Sequence, residues 1–202
     1  MICDFLLAKE NKLLNEKAKN LGFDSVFFVK EILTLKDIKK EKGYDVFLLK
    51  TTRPETLRRM IDKAEASVSL IFVLGTNDTI NRIALEHKKV RALVCPEYER
   101  KYDFLHYRNS GLNQVLCKIA RDNDKVIIKN FKDILFREGK ERALLLGKIM
   151  QNIKLCRKYK VKVKLASFAS IKKEMKSFFD LRSFCIAIGM TKKEAKNAFL
   201  SF

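Results

Sequence analysis

The chain has 202 residues, 47% of them hydrophobic, with only 7 glycines and 2 prolines, which is enough apolar material for a core and excludes a disordered tail, a collagen-like repeat or a disulfide-stapled mini-domain. Lysine and arginine number 43 against 24 acidic residues, a formal net charge of +19. The excess is uneven: residues 118–202 hold 22 basic and 8 acidic side chains, a cationic half that is the electrostatic footprint of a polyanion binder unless it only reflects a lysine-rich composition.

Short apolar segments alternate with helical patterns along the whole chain. The strand candidates are residues 2–7, 25–30, 45–50, 69–74, 91–95, 125–129 and 161–166. Each is bounded by charge or glycine and is apolar nearly throughout, as strands buried on both faces of a parallel sheet are. After the third, Thr52-Arg53-Pro54-Glu55 places proline in the first turn of a helix whose buried stripe is Leu57, Ile61 and Ala64. After the fourth, Asn77 and Asp78 read as an N-cap for a helix with Ile80, Ile83 and Ala84 on one face, and His87 lies in its lysine-rich end. After the fifth comes a loop with Asp103 and His106. Asn109-Ser110-Gly111 then offers a cap to a stripe of Leu112, Val115, Leu116, Ile119 and Ala120. The longest stripe is Leu145, Ile149, Ile153 and Cys156, with Leu146 and Met150 beside it. Ser167 and Ser170 end the seventh strand, and the chain is expected to be helical from about residue 171.

Seven strand-then-helix units at a spacing of roughly 25 residues predict an α/β architecture of parallel strands with right-handed crossovers, in one domain over residues 1–202. An open sheet and a compact barrel of about seven strands both fit. A standard eight-fold barrel, typically ~250 residues, is too long. No apolar run approaches the ~18 residues of a membrane span, and MICDFLLAKENK has no basic n-region, so neither a membrane anchor nor a signal peptide is expected. The five cysteines, Cys3, Cys95, Cys117, Cys156 and Cys185, have no zinc-type spacing and read as buried reduced thiols of a cytoplasmic protein.

The familiar catalytic patterns are missing from the sequence. It has two histidines, no His-x-His after the first strand, no His-Glu-x-x-His, no nucleotide-binding glycine loop and no Gly-x-Ser-x-Gly elbow. Asp4, inside the first strand, is either a catalytic carboxylate or a group that orients a backbone N–H or pairs with a neighbouring cation. A barrel phosphoesterase would have to use Asp4, Asp103 and His106 as a thin metal set.

Phe104-Leu105-His106-Tyr107-Arg108-Asn109-Ser110-Gly111-Leu112-Asn113, running into Val115-Leu116-Cys117-Lys118-Ile119-Ala120, resembles the central motif of the RNase P protein component 3 family. Further blocks follow in family order: Asp133-Ile134-Leu135, Arg142-Ala143, residues 152–159, Val161-Lys162-Val163 with Ala166-Ser167-Phe168-Ala169, Asp180-Leu181-Arg182-Ser183, Ile188-Gly189-Met190 and Glu194-Ala195. The likeness covers about residues 100–202; the first hundred agree in pattern only. It implies a TIM-like barrel of reduced strand count, related to the metal-dependent PHP phosphoesterases but without their ligands. It also implies a ribonuclease P subunit for tRNA processing, with no catalytic residues and no metal of its own. In such an assembly the RNase P RNA removes the 5′ leader of precursor tRNA with its own Mg²⁺. RNase P protein component 2, as a heterodimer or heterotetramer, and other protein subunits are the expected partners, with precursor tRNA contacted indirectly. The family pattern has histidine after the motif's asparagine. Here Gln114 stands there, which leaves a polar contact in place of an imidazole.

On this reading Arg108, Lys118, Lys158, Lys160 and Arg182 are the RNA-binding candidates, and His106, Asn113 and Gln114 are candidates for RNA or partner contact. Arg108 lies before an expected helix start at 110–113, whose N–H groups favour phosphate, and Arg182 lies at another expected helix start. Arg108 and Arg182 would alternatively pair with Asp103 and Asp180. Arg157, Lys158, Lys160, Lys162 and Lys164 form a basic run across a helix end and a strand, while Lys192, Lys193 and Lys196 read as a solvated helix face. Phe178, Phe179, Phe184, Phe199 and Phe202 are expected to pack the tail onto the barrel, with one or two left for component 2. The competing functions are a barrel phosphoesterase and a simple basic RNA-binding protein.

Overall fold

A computed structural model describes residues 1–39, 41–68, 70–100, 102–103 and 105–201. Ser69 of the fourth strand candidate, Phe104 of the motif and Phe202 of the aromatic tail lie outside the described residues. Seven parallel strands follow one another in sequence order: β1 (Cys3–Leu6), β2 (Ser25–Ile32), β3 (Val46–Leu49), β4 (Leu70–Leu74), β5 (Val90–Val94), β6 (Val126–Asn130) and β7 (Lys162–Ala166). The strand candidates all appear; in β1, β3 and β4 burial nearly throughout leaves no alternation to misread. The helices are α1 (Lys12–Asn20), α2 (Pro54–Glu65), α3 (Asp78–Glu86), α4 (Gln114–Asp122), α5 (Phe131–Phe136), α6 (Gly139–Tyr159), α7 (Phe178–Ala187) and α8 (Lys192–Asn197).

The sheet curls into a nearly closed barrel. β2 gives its first half to β1 (Ser25 opposite Cys3) and its second half to β3 (Val29 opposite Val46), the stagger that closure demands. β1 and β7 then meet without a regular ladder. At their C-terminal ends Phe168 N–H donates to the Phe5 carbonyl (2.9 Å), and Leu7 N–H to that of Ala169 (3.0 Å). At the other end the chain's tail fills the seam: Cys3 N–H donates to Phe199 O (2.7 Å), and Ile2 bridges Leu200. The interior holds Phe5, Leu48, Phe72, Leu74, Val94 and Phe168, with Phe5 stacked on Phe27 at 5.2 Å and edge-on to Phe72 at 5.3 Å. Outside, one apolar layer gathers α2, α3 and α4, and a second gathers α1, α6, α7 and α8.

Several local expectations change. Among the described residues no helix lies between β2 and β3, so the second unit crosses over by turns. Asn77 caps α3 as expected, accepting from Ile80 N–H at 3.0 Å, and Pro54 opens α2. The helix after the motif starts later than the Asn109-Ser110-Gly111 reading: Asn113 is its cap and accepts from Leu116 N–H (2.9 Å). Val115, assigned to the buried stripe, is 51% exposed, because the face of α4 that packs inward runs through Leu116, Cys117 and Ala120. The tail becomes regular helix only at Phe178, where Ser177 caps Asp180 N–H; Ser170 instead receives Lys132 Nζ at 2.8 Å. Arg182 is therefore inside α7 and not at a helix start. Phe178 and Phe199 are buried, and Phe179 is left exposed.

Candidate nucleic-acid interface

The long segment between β5 and α4 carries the motif and runs over α6. Its anchor is a buried ion pair. Lys129 Nζ of β6 donates to Glu97 Oε2 at 2.6 Å, with both side chains essentially inaccessible. A lone buried charge would cost several kcal/mol, so the pair is obligatory once either member is inside. Asn152 of α6 donates from its amide to the same Glu97 oxygen (2.9 Å) and to the Ser110 carbonyl (2.9 Å). Gln151 reaches the Arg108 carbonyl (2.9 Å) and Ser110 Oγ (3.0 Å), and Asn81 of α3 donates to the Gly111 carbonyl (3.0 Å). Lys148 Nζ donates to the Arg100 carbonyl and sits 3.4 Å from Asp103. Gly111, at φ +73°, lies so close to the segment that a Cβ there would be 1.8 Å from the Pro96 carbonyl oxygen.

On this frame the motif presents its side chains to solvent. His106 is exposed, with Leu105 and Tyr107 beside it. Arg108 packs its guanidinium over Gly147 of α6, where a Cβ would lie 2.3 Å from Nη1, and stands 3.8 Å from Asp103. The expected Asp103 pairing is therefore present, yet the Arg108 side chain is still 44% exposed. Asn113 is spent as a cap; Gln114 is exposed and accepts from the Tyr159 hydroxyl at 3.4 Å. That contact brings the start of α4, with exposed Lys118 one turn on, against the end of α6, where Lys158 and Lys160 are exposed. Lys160 closes α6 in the left-handed region (φ 58°). Arg108, Lys118, Lys158 and Lys160 thus lie along the α4–α6 side. Arg182 belongs to α7, which shares its apolar layer with α6, and Asp180 beside it is held by the Ser177 hydroxyl (2.7 Å).

The basic run of 157–164 divides. Arg157 makes two bonds to Glu194 (2.7 and 2.6 Å), and holds that carboxyl down to about 2. Lys162 pairs with Asp124 at 2.7 Å, and Lys164 is buried, donating to the Leu200 carbonyl.

The phosphoesterase set is not assembled. Asp4 is buried and accepts Phe5 and Ser167 N–H, both at 2.8 Å, so it orients backbone across the β1–β7 seam. Burial raises its pKa to about 6. Asp103 is tied to Arg108, Lys148 and the Asn109 N–H (3.0 Å) within the β5–α4 segment and α6. Among the described residues no three His, Cys, Asp or Glu side chains form a group able to hold a metal ion. Phe168, at φ 47°, turns into the barrel interior just past β7. Burial also lifts Asp133 to about 6, in a mouth shared with Lys50 and Lys132.

A family model described as RNase P subunit p30 matches residues 9–201. The chain belongs to the RNase P subunit p30 family. The ribonuclease P protein component 3 of Methanosarcina mazei is 30% identical over 160 residues, covering 78% of this chain and 64% of that protein. That of Methanocaldococcus jannaschii is 32% identical over 154 residues, covering 76% and 63%. A chain in the cryo-EM structure of archaeal ribonuclease P with mature tRNA matches with a TM-score of 0.79 at 27% identity, over 97% of this chain and 86% of that one. A. niger ochratoxinase matches with a TM-score of 0.63 at 10% identity, over 98% and 58%, a likeness of fold alone. The chain spans 64%, 55% and 48% of the length of the relatives from M. mazei, Methanosarcina acetivorans and Methanosarcina barkeri.

Exposed cations such as Lys118 and Lys158 are visible in the sequence, whereas the Glu97–Lys129–Asn152 frame was not recognised there. A signal existed: Lys148 and Asn152 fall at helical spacing on the buried stripe of Leu145, Ile149 and Ile153, and Lys129 ends an apolar strand. A polar residue on an apolar stripe is bonded or it is a cost, so its position predicts a buried partner.

Proposed function

We propose that this chain is the protein component 3 subunit of ribonuclease P. It supports the catalytic RNA in removing the 5′ leader of precursor tRNA and does no bond-breaking itself. The observation that carries the reading is the likeness over 97% of the chain to a chain of archaeal ribonuclease P, on a barrel whose Asp4 carboxylate holds backbone across the β1–β7 seam. Arg108, Lys118, Lys158 and Lys160 neutralise RNA phosphates from the rigid α4–α6 side, and Arg182 adds a contact from α7. His106, Gln114 and the amide nitrogen of Asn113, whose oxygen caps α4, touch RNA or a protein partner through polar edges. The exposed Phe179 of α7 is the contact offered to RNase P protein component 2 in a heterodimer or heterotetramer. Magnesium belongs to the RNA in this reading, and the complex works in the cytoplasm; none of the helices over the described residues is long and apolar enough to cross a membrane.

Reconstitution tests this. The protein alone with Mg²⁺ or Mn²⁺ is expected to leave precursor tRNA intact, and to raise cleavage when RNase P RNA and component 2 are added. Cleavage by the lone chain, or RNA affinity without stimulation, overturns the proposal in favour of a phosphoesterase or a simple RNA-binding protein.

A further inference from the structure

The β5–α4 segment and the first turns of α6 wall a cleft of about 840 Å³, within the size range of small-ligand sites. Leu144 and Leu145 give it an apolar lining, and its polar lining includes Glu97, Glu99, Arg100, Arg137 and Lys140. Two of these are pinned by only part of their side chains. Glu97 spends Oε2 on Lys129 and Asn152, while Oε1, on a side chain 1% exposed, has no hydrogen-bond partner among the described residues. Arg100 spends Nη2 on Asp78 (2.6 Å), and its buried Nε likewise has no partner among them. The Arg100 N–H donates to the Glu97 carbonyl (3.2 Å), so a single turn carries both residues. Neither side chain can swing to the other without releasing a charged partner. A buried acceptor and a buried donor are therefore left over in one turn, each a cost until something bonds it.

Further out, Glu99 is exposed, and Glu99, Arg137 and Lys140 make no ion pair among the described residues. Lys148 is already spent on the Arg100 carbonyl and Asp103. Tyr102 stands 82% exposed at the cleft, whereas Tyr98 carries Lys50 Nζ 5.2 Å over its ring. Glu141 lines the cleft together with Arg137 and Lys140, so this rim is mixed in charge and does not select phosphate by itself. What the cleft offers is one guanidinium donor, two carboxylate acceptors and an aromatic face. Carboxylates only accept and arginine only donates. Guanine matches that inventory: its Watson–Crick edge has one acceptor, O6, beside two donors, N1–H and the N2 amino group. Adenine, cytosine and uracil each present one donor group there.

We propose that this cleft binds guanine. O6 accepts from Arg100 Nε, N1–H donates to Glu97 Oε1, the N2 amino group donates to Glu99, and Tyr102 stacks on the ring. Entry of the base edge uncovers the two buried atoms. The base belongs to a free nucleotide or to an unpaired guanine of an RNA strand, since unstacked bases are what RNA offers to a pocket. The proposal is read on the lone chain and does not rest on the ribonuclease P reading.

The test is calorimetric titration of the full chain with guanosine, inosine and adenosine monophosphates, inorganic phosphate, and a short single-stranded RNA carrying one guanine or adenine in its place. Guanine is expected to bind roughly tenfold or more tighter than adenine, with inosine, which lacks the N2 amino group, in between. Glu99 and Tyr102 are exposed, so their variants keep the fold. Glu99→Gln is expected to lower guanine affinity and erase its advantage over inosine, Tyr102→Ala to weaken every base, and Lys193→Ala on α8 to change nothing. A guanine preference seen only in the RNA assigns the cleft to a strand; one seen also with the mononucleotide assigns it to free nucleotides as well. No saturable binding, equal affinity for guanine and adenine, binding of inorganic phosphate as tight as that of the nucleotide, or a guanine advantage over inosine that survives Glu99→Gln overturns the proposal.

Discussion

Asp4 joins two distant parts of the chain through one carboxylate. Its Oδ1 takes N–H groups from β1 and from just beyond β7, while its Oδ2 is buried with no hydrogen-bond partner among the described residues. Desolvation raises its pKa from 3.8 to about 6, so the folded state binds this proton more tightly than the unfolded chain does. Between those values the unfolded chain has already lost the proton that the fold retains. Stability through this group is therefore greatest at low pH and falls as pH rises through about 6. Asp4→Asn keeps an acceptor oxygen and removes the titration. In urea unfolding, wild type is expected to gain about 2 kcal/mol on the variant between about pH 7.5 and about pH 4.5. Asp133 shifts in the same direction in both proteins, so it cancels from the comparison. Parallel pH profiles would show that Asp4 titrates as an exposed carboxylate.

At the scale of elements, α6 serves as the bed on which the motif is laid, bound to it by Gln151 and Asn152, and Gly147 is where the Arg108 guanidinium rests on it. The nearest atoms to a Cβ at Gly147 belong to the far end of the Arg108 side chain: Nη1 at 2.3 Å, Cζ at 2.4 Å and Nε at 2.9 Å. Gly147→Ala is thus expected to raise stability by about 0.8–1.0 kcal/mol, the helix-interior difference between the two residues, as the guanidinium swings away. If Arg108 is held there for phosphate, the same variant weakens RNase P RNA binding although the protein is more stable. A higher melting temperature with unchanged affinity would remove Arg108 from the interface. Gly111 is the opposite case, since its Cβ would strike backbone that cannot move.

The same elements show what could be read from the chain. Strands such as Val46–Leu49 were legible because burial on both faces leaves an unbroken apolar run. The turn-only crossover after β2 was not, because a polar stretch long enough for a helix carries no mark of its absence. The Asn113 cap was missed because Asn109, Ser110 and Asn113 are all good caps, and tertiary bonds from Asn152 and Gln151 to Ser110 decide among them. Exposed candidates such as Lys118 were legible as residues, but their grouping depends on contacts such as Tyr159–Gln114, which sequence spacing does not encode.

Over the whole molecule the formal charge of +19 overstates what a polyanion meets. Lys129 is neutralised inside by Glu97. Lys125 is buried on the carbonyls of His87 (2.7 Å) and Val90 (2.6 Å), and Arg157 is clasped by Glu194. These cations hold the barrel together and contribute little to a bound strand's counterion release, whereas Arg108, Lys118, Lys158 and Lys160 stand in solvent. Release of counterions scales with the phosphates actually touched. If six to ten are neutralised, affinity for RNase P RNA should fall by roughly 10³–10⁵ between about 50 and 200 mM salt. Replacing Lys158 or Lys160 by alanine is expected to lower the slope of log affinity against log salt by about one each. Replacing Lys125 by methionine should shift stability and leave that slope alone, because its charge never reaches the strand. A binding curve flat in salt, or a slope that responds to Lys125 as strongly as to Lys158, would mean that the net charge acts as a diffuse field and that the α4–α6 side is no more an interface than the rest of the surface.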